Sequence, residues 1–135
     1  MLVVDAQVHA YERNHKNRPW IDELVGPDEV TGENLVKEME SVGVDGAILV
    51  SPWTMYRYDA SYAQSVYEKY PNKFRLVKPV DPNNPEVGEI IQEWAKNNGA
   101  VAIRLMLAYE EQRNLSDHGL DVVMRTASRC NFPVN

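Results

Sequence analysis

Apolar and polar positions alternate along this chain in two distinct periods. Short apolar runs fall at Leu2–Val4, Ala47–Val50, Arg75–Val80 and Ala100–Leu105, and a last one opens at Phe132-Pro133-Val134. Between them lie segments of helical period. Leu35, Met39 and Val42 share a face in a helix predicted from about Thr31 to Val42, with Gly43 as its stop. Tyr62, Ala63, Val66, Tyr67 and Tyr70 stripe a second helix from Asp59, its cap, to Tyr70, before Pro71. Val87, Ile90, Ile91 and Trp94 stripe a third between Pro85 and Asn97, with Asn84 as cap. Leu120, Val123, Met124 and Ala127 stripe a fourth between Gly119 and Arg129.

The predicted order is β-α-β-α-β-α-β-α-β. Strands apolar on both faces, alternating with amphipathic helices, predict a parallel sheet with right-handed crossovers. Two architectures satisfy that pattern: a (β/α)8 barrel and a five-stranded doubly wound sheet. Strand starts lie roughly 32 residues apart, so eight units approach the roughly 250 residues of a barrel. A doubly wound nucleotide fold needs a glycine-rich turn after its first strand. Here that loop, Tyr11 to Val30, is long and polar. The chain therefore reads as one α/β unit, residues 1–135: the first four βα units of a barrel plus the start of a fifth strand.

Bulk chemistry narrows the function classes. A net charge of −6 without a basic block lacks the footprint of a nucleic-acid binder or of an anionic-membrane binder. The single Cys130 leaves no internal disulfide and fits a reducing compartment; it closes the last helical stripe and reads as buried. The start MLVVDAQ lacks the features of a signal peptide. A soluble cytoplasmic protein is expected.

Ligands of parallel α/β proteins sit at the carboxyl ends of strands. That rule selects Asp5, Gln7 and His9, then Ser51, Trp53, Tyr56 and Arg57, then Lys78 and Asp81, and finally Arg104 and Met106. Arg104 follows an apolar strand, where an unpaired charge is costly; it either binds a substrate carboxylate or pairs internally with Asp81. Tyr56 and Arg57 fall in a short loop, either solvated or in substrate contact. Trp53 packs the rim or forms an aromatic pocket wall. His15 and His118 lie in polar stretches and read as solvated.

The stretches VVDAQVHAY (3–11), GVDGAILVSP (43–52), SYAQSVYEKYPNKFRLVKPVDP (61–82) and GAVAIRLM (99–106), in that order, resemble the amidohydrolase superfamily, in the branch called amidohydrolase family 2. The resemblance covers nearly the whole chain. It implies a TIM-barrel hydrolase acting on lactones, amides or other carboxylated small molecules, with water attacking a carbonyl. It implies a first strand ending in His-x-His, two imidazoles for a divalent metal. His9 matches the second position and is the sole candidate metal ligand; Gln7 occupies the first, and an amide is a far poorer ligand for Zn²⁺. The remaining ligands implied by the family lie on strands five, six and eight, past Asn135. The expectation is no cofactor in this chain and a divalent metal such as Zn²⁺ in a full-length parent.

Some members of that branch hydrolyse lactones without metal. There Gln7 would donate to a carbonyl, His9 would orient substrate or shuttle a proton, and Arg104, Tyr56, Arg57 and Trp53 would bind an anionic small molecule. The alternative is a non-catalytic half-barrel that functions only by association, since two sheet edges and the inner sheet face lack partners. A homo-oligomer, or the remainder of a longer chain, is the expected partner.

Overall fold

The first apolar run leads into a strand, the next three overlap one each, and the four strands pair in chain order. The structure is a computed structural model and describes residues 1–107 and 116–135. Its strands are β1 (Val4–Val8), β2 (Gly46–Val50), β3 (Phe74–Pro79) and β4 (Ala100–Arg104), its helices α1 (Gly32–Val42), α2 (Trp53–Tyr56), α3 (Ser61–Lys69), α4 (Val87–Ala95) and α5 (His118–Arg129). The sheet is parallel throughout, in the order β1-β2-β3-β4. Val134 continues it by a parallel bridge to Ile103, with the Asn135 N–H donating to the Ile103 carbonyl at 2.9 Å. The predicted fifth strand therefore begins where a barrel needs it.

Side-chain parity decides between the two architectures. Ala47, Leu49, Phe74, Leu76 and Ile103 all pack with helix residues Met39, Ala63, Val66, Ile91, Trp94, Val123 and Ala127 in one core. The opposite face, Val50, Val77 and Ala102 with Ile48 and Val101, packs only on itself. A doubly wound sheet puts helices on both faces and reverses strand order at its switch point. Sequential order with helices on one face is the (β/α)8 pattern. The inner residues were expected to meet water, yet Val50, Val77 and Ala102 are buried, packed against one another with Ile48 and Val101.

Local chemistry explains the element ends. Thr31 caps α1, accepting from the Asn34 N–H at 3.1 Å while Asn34 Oδ1 accepts from the Thr31 N–H at 3.0 Å, and Gly43, at φ 77°, closes it in the left-handed conformation that suits glycine. Asp59 holds the Ser61 N–H at 2.8 Å at the start of α3, Asn84 holds Glu86 ahead of α4, and Asp117 caps α5 through Leu120. A register irregularity between Leu76 and Val77 disturbs the β3–β4 ladder. There the buried Trp94 indole N–H donates to the Ala102 carbonyl at 3.0 Å, so the carbonyl is satisfied within the core.

Several expectations need correction. The first strand starts at Val4 and runs through Asp5 and Gln7, rather than stopping at Val4; the ladder to β2 carries the polar residues along. Val42 and Met124 are 73% and 53% exposed. Each lies at the edge of its helix's buried arc, which Leu35, Val36 and Met39 fill in α1 and Val123, Thr126 and Ala127 fill in α5. Residues 53–56 form the short helix α2, not a loop. Cys130 is half-buried at the end of α5. Among the described residues, no helix is long and apolar enough to cross a membrane.

Candidate functional site

At the carboxyl ends of β1, β2 and β4 lies a cavity of about 250 Å³ lined by His9, Tyr11, Leu24, Pro52, Trp53, Thr54, Met55, Arg104 and Met106. His9 and Arg104 line it together among apolar and aromatic walls. That is the usual make-up of a small-molecule site: mostly apolar, with a few placed polar groups.

His9 follows the last residue of β1 and shares the inner face with Gln7, two residues before it. Its Nδ1 lies 2.8 Å from the Val50 carbonyl oxygen. A carbonyl only accepts, so Nδ1 carries the proton and neutral His9 keeps its lone pair on Nε2. The Gln7 side-chain nitrogen stands 3.4 Å from that Nε2, the orientation in which the amide donates. The Asp5 carboxylate accepts from the Gln7 main-chain N–H at 3.0 Å where β1 loses regular register with β2. Asp5 thus shapes the strand end that presents Gln7 and His9.

Arg104 ends β4 and is half-buried. One of its two readings, an internal pair with Asp81, is absent: Asp81 turns back to accept from the Asn83 N–H at 2.9 Å, and among the described residues no carboxylate forms an ion pair with Arg104. The guanidinium faces the cavity with its donors available.

The other candidates separate. Trp53 lines the cavity. Tyr56 and Arg57 do not line it. The Tyr56 ring is buried, and its hydroxyl accepts from the Glu12 N–H at 3.1 Å; burial pushes its pKa up. Arg57 donates to the Trp53 and Thr54 carbonyls at 3.0 and 2.9 Å and pairs with Asp22. Tyr56 is tied to a main-chain N–H and Arg57 to main-chain and loop acceptors, which places both behind the wall rather than in it. Ser51 is buried and donates to the Asp59 carbonyl at 2.7 Å. Lys78 points to the helix side, 5.8 Å from the Trp94 ring centroid, and desolvation there lowers its pKa against a smaller opposing effect of Asp59. His15 is not simply solvated, since its Nε2 meets Glu12 at 2.8 Å; His118 is exposed.

Sequence reasoning missed Tyr11, Leu24 and Met55. Tyr11 had a signal, lying two residues beyond His9. Leu24 comes from the long loop, and nothing local marks it. That loop is built rather than loose: Tyr11 and Val30 pair through N–H to carbonyl bonds of 2.8 and 2.9 Å, the Trp20 indole N–H donates to the Glu12 carbonyl at 2.9 Å, and Ile21 donates to the Met55 carbonyl at 2.9 Å.

The described residues do not by themselves fit a catalytic divalent metal. His9 offers one imidazole nitrogen, its neighbour is an amide, and among the described residues no three histidine, cysteine or carboxylate side chains converge.

No protein-family profile and no curated protein matches the chain. Solved structures do match, and they are amidohydrolase-family proteins. One is a probable 2-pyrone-4,6-dicarboxylic acid hydrolase from Acinetobacter baumannii with citric acid bound, 18% identical, TM-score 0.78, covering 99% of this chain and 48% of that one. Another is a 5-carboxyvanillate decarboxylase from Novosphingobium aromaticivorans with manganese and a nitrobenzoic acid bound, 16% identical, TM-score 0.68, covering 98% and 49%. A third is an amidohydrolase from Burkholderia multivorans with zinc bound, 15% identical, TM-score 0.68, covering 99% and 48%. The fold is that of these TIM-barrel amidohydrolases, and the chain spans about half their length.

Proposed function

We propose that this chain is the N-terminal half of an amidohydrolase-type barrel whose strand-end cavity binds a carboxylated small molecule and whose reaction is hydrolysis of a lactone, amide or related carbonyl bond. The observation that carries the reading is the meeting of His9 and Arg104 in one apolar cavity at the strand ends. Carboxylic acids in two of the matched structures support an anionic ligand.

In this reading Arg104 takes the substrate carboxylate with its planar fork of donors. The carbonyl to be attacked then lies toward β1. His9 Nε2, left unprotonated by the Val50 contact, gives up its 3.4 Å contact with the Gln7 amide and accepts a proton from the attacking water. Addition gives a tetrahedral oxyanion, and the second N–H of Gln7 donates to it. Collapse breaks the bond to the leaving oxygen or nitrogen, which takes the proton back from His9. The products are a carboxylic acid and an alcohol or amine. A divalent metal, as in the manganese and zinc structures above, would activate the water; its ligands would come from the other half of the barrel.

The test is ring opening of 2-pyrone-4,6-dicarboxylate, followed by loss of pyrone absorbance. His9→Asn should lower kcat by about a hundredfold or more, and Arg104→Met should act mainly on KM. Full activity in both variants would defeat the assignment.

A second reading is favoured by the open edge of β1, where Leu2, Val3 and Val4 are 77%, 40% and 50% exposed. In it the half-barrel works only by association with a second copy or with the remainder of a longer chain. Sedimentation of the 135-residue chain at micromolar concentration tests this: a stable monomer contradicts it. Cys130, a free thiol, accords with a cytoplasmic location.

A further inference from the structure

On the helix side of the sheet, away from the strand-end mouth, a groove of about 600 Å³ separates α3 from α4, and Lys78 of β3 is one of its lining residues. Lys78 is half-buried there. An ammonium carries three donors, yet among the described residues Lys78 makes no hydrogen bond and no ion pair. The Trp94 ring centroid lies 5.8 Å from its Nζ. Asp59 attracts it from a distance, but that carboxylate holds the Ser61 N–H and hydroxyl at 2.8 and 3.0 Å. Glu86, Glu89 and Glu93 stand exposed on the α4 side of the groove, and Glu93 is paired with Lys96.

The other lysines of the chain differ from it. Lys69, Lys73 and Lys96 pair with Glu33, Glu40 and Glu93; Lys16 and Lys37 are exposed. Each of those ammonium groups is paired or hydrated. At Lys78 burial penalises the charge and lowers the pKa, against the smaller pull of Asp59. More of this side chain is therefore neutral amine, with a lone pair to give, than of any exposed lysine at the same pH. Gln64 of α3 lines the same groove, half-buried, and its side-chain amide makes no hydrogen bond among the described residues. A nucleophile and an amide donor thus share one cavity.

We propose that Lys78 is an acyl-acceptor site: the groove between α3 and α4 admits a small neutral thioester, and Lys78 Nζ takes its acyl group. The Nζ lone pair forms the C–N bond, and the carbonyl oxygen becomes an oxyanion to which the Gln64 amide donates. The C–S bond then breaks, and the thiolate leaves with its electron pair and takes the proton released by nitrogen. The products are an amide and a thiol. The amide is neutral, so the modified chain no longer buries a charge at this position. The exposed glutamates of α4 favour an uncharged acyl donor over an anionic one. The site lies on the opposite face of the sheet from His9 and Arg104 and stands independently of the reading given to them.

The experiment incubates the full chain near neutral pH with the acetyl thioester of N-acetylcysteamine and follows acetylation of each lysine by peptide mass spectrometry, in buffer and in urea. In the folded chain Lys78 should react about tenfold or more faster than the exposed Lys37, and in urea the two should react alike. Gln64→Leu should slow Lys78 severalfold and leave Lys37 unchanged. The chain acetylated at Lys78 should melt above the parent, as should Lys78→Gln, whereas Lys78→Arg, which keeps a charge, should not. Lys78 reacting no faster than Lys37 in the folded chain would overturn the proposal. So would a preference that persists in urea, since local sequence and not the groove would then set it. A lower Tm in the Lys78-acetylated chain would overturn it too, because the groove would then hold the ammonium better than the amide.

Discussion

His9 Nδ1 lies 2.8 Å from the carbonyl oxygen of Val50, and this contact ties the end of β1 to the end of β2 at the mouth and fixes which ring nitrogen is unprotonated. The neutral imidazole is therefore expected to be the Nδ1-protonated tautomer, readable from its ¹⁵N shifts. The Nε2-protonated form would contradict the geometry. The same contact predicts how a metal could be recruited. Gln7→His would replace the amide that faces Nε2 with a second imidazole, and Zn²⁺ affinity should rise by about tenfold or more over the parent. The gain should vanish when His9→Ala is added; a gain that survives that change would place the metal elsewhere.

Tyr56→Phe should cost about 1 kcal/mol, the net worth of a buried hydrogen bond. The hydroxyl is the acceptor for the Glu12 N–H, and Phe leaves that donor without it while keeping the ring packed with Tyr11 and Met55. Chemical denaturation checks this. A variant as stable as the parent would mean the loop holds itself without Tyr56.

Lys78 titrates below its ordinary range because burial penalises the ammonium. In the interval between its lowered folded pKa and the unfolded value, the unfolded chain binds more protons, so stability rises with pH there. Below that interval the cost of the buried charge is present in full. Lys78→Met should therefore stabilise by roughly 0.5–1 kcal/mol near neutrality, less any attraction lost to the Trp94 face, and the advantage should shrink as pH approaches 10.5. Melting the two proteins across that range settles the sign; an advantage that grows with pH would contradict it.

Gly119→Ala should destabilise by roughly 1–3 kcal/mol. A Cβ there would lie 1.9 Å from the Pro82 carbonyl oxygen, a main-chain obstacle that no rotamer change removes. The expected sign is a lower Tm with unchanged ligand selectivity. An unchanged Tm would show that α5 can shift away from the β3–α4 connection at no cost.

Much of this fold was legible because it rests on periodicity. Two-sided apolar strands and amphipathic helices marked β2, β3, β4, α1, α3, α4 and α5, since burial on both faces leaves that pattern in the residues themselves. The short α2 left none: Trp53–Tyr56 makes one turn, too short for a stripe. The site was legible to the extent that strand ends define it. His9, Trp53, Arg104 and Met106 were found by that rule and line the cavity. Lys78 satisfied the same rule and faces the helices, because position along a strand does not by itself say which face a side chain takes. Leu24 could not be found, since a loop's contribution depends on ties such as Ile21 to Met55 that have no local signature. Tyr56 and Arg57 were expected near substrate; they lie one layer back, where the Glu12 N–H donates to the Tyr56 hydroxyl and the Asp22 carboxylate pairs with Arg57.

The measurement closest to the central claim is a titration of the full chain with 2-pyrone-4,6-dicarboxylate, repeated on Arg104→Met and Arg104→Lys. Arg104 is the cavity's cation, and a bidentate fork on a carboxylate is not reproduced by an ammonium. The account predicts binding to the parent, a loss of tenfold or more in Arg104→Met, and an intermediate affinity in Arg104→Lys. Equal affinity in all three would contradict it and would remove Arg104 from the site.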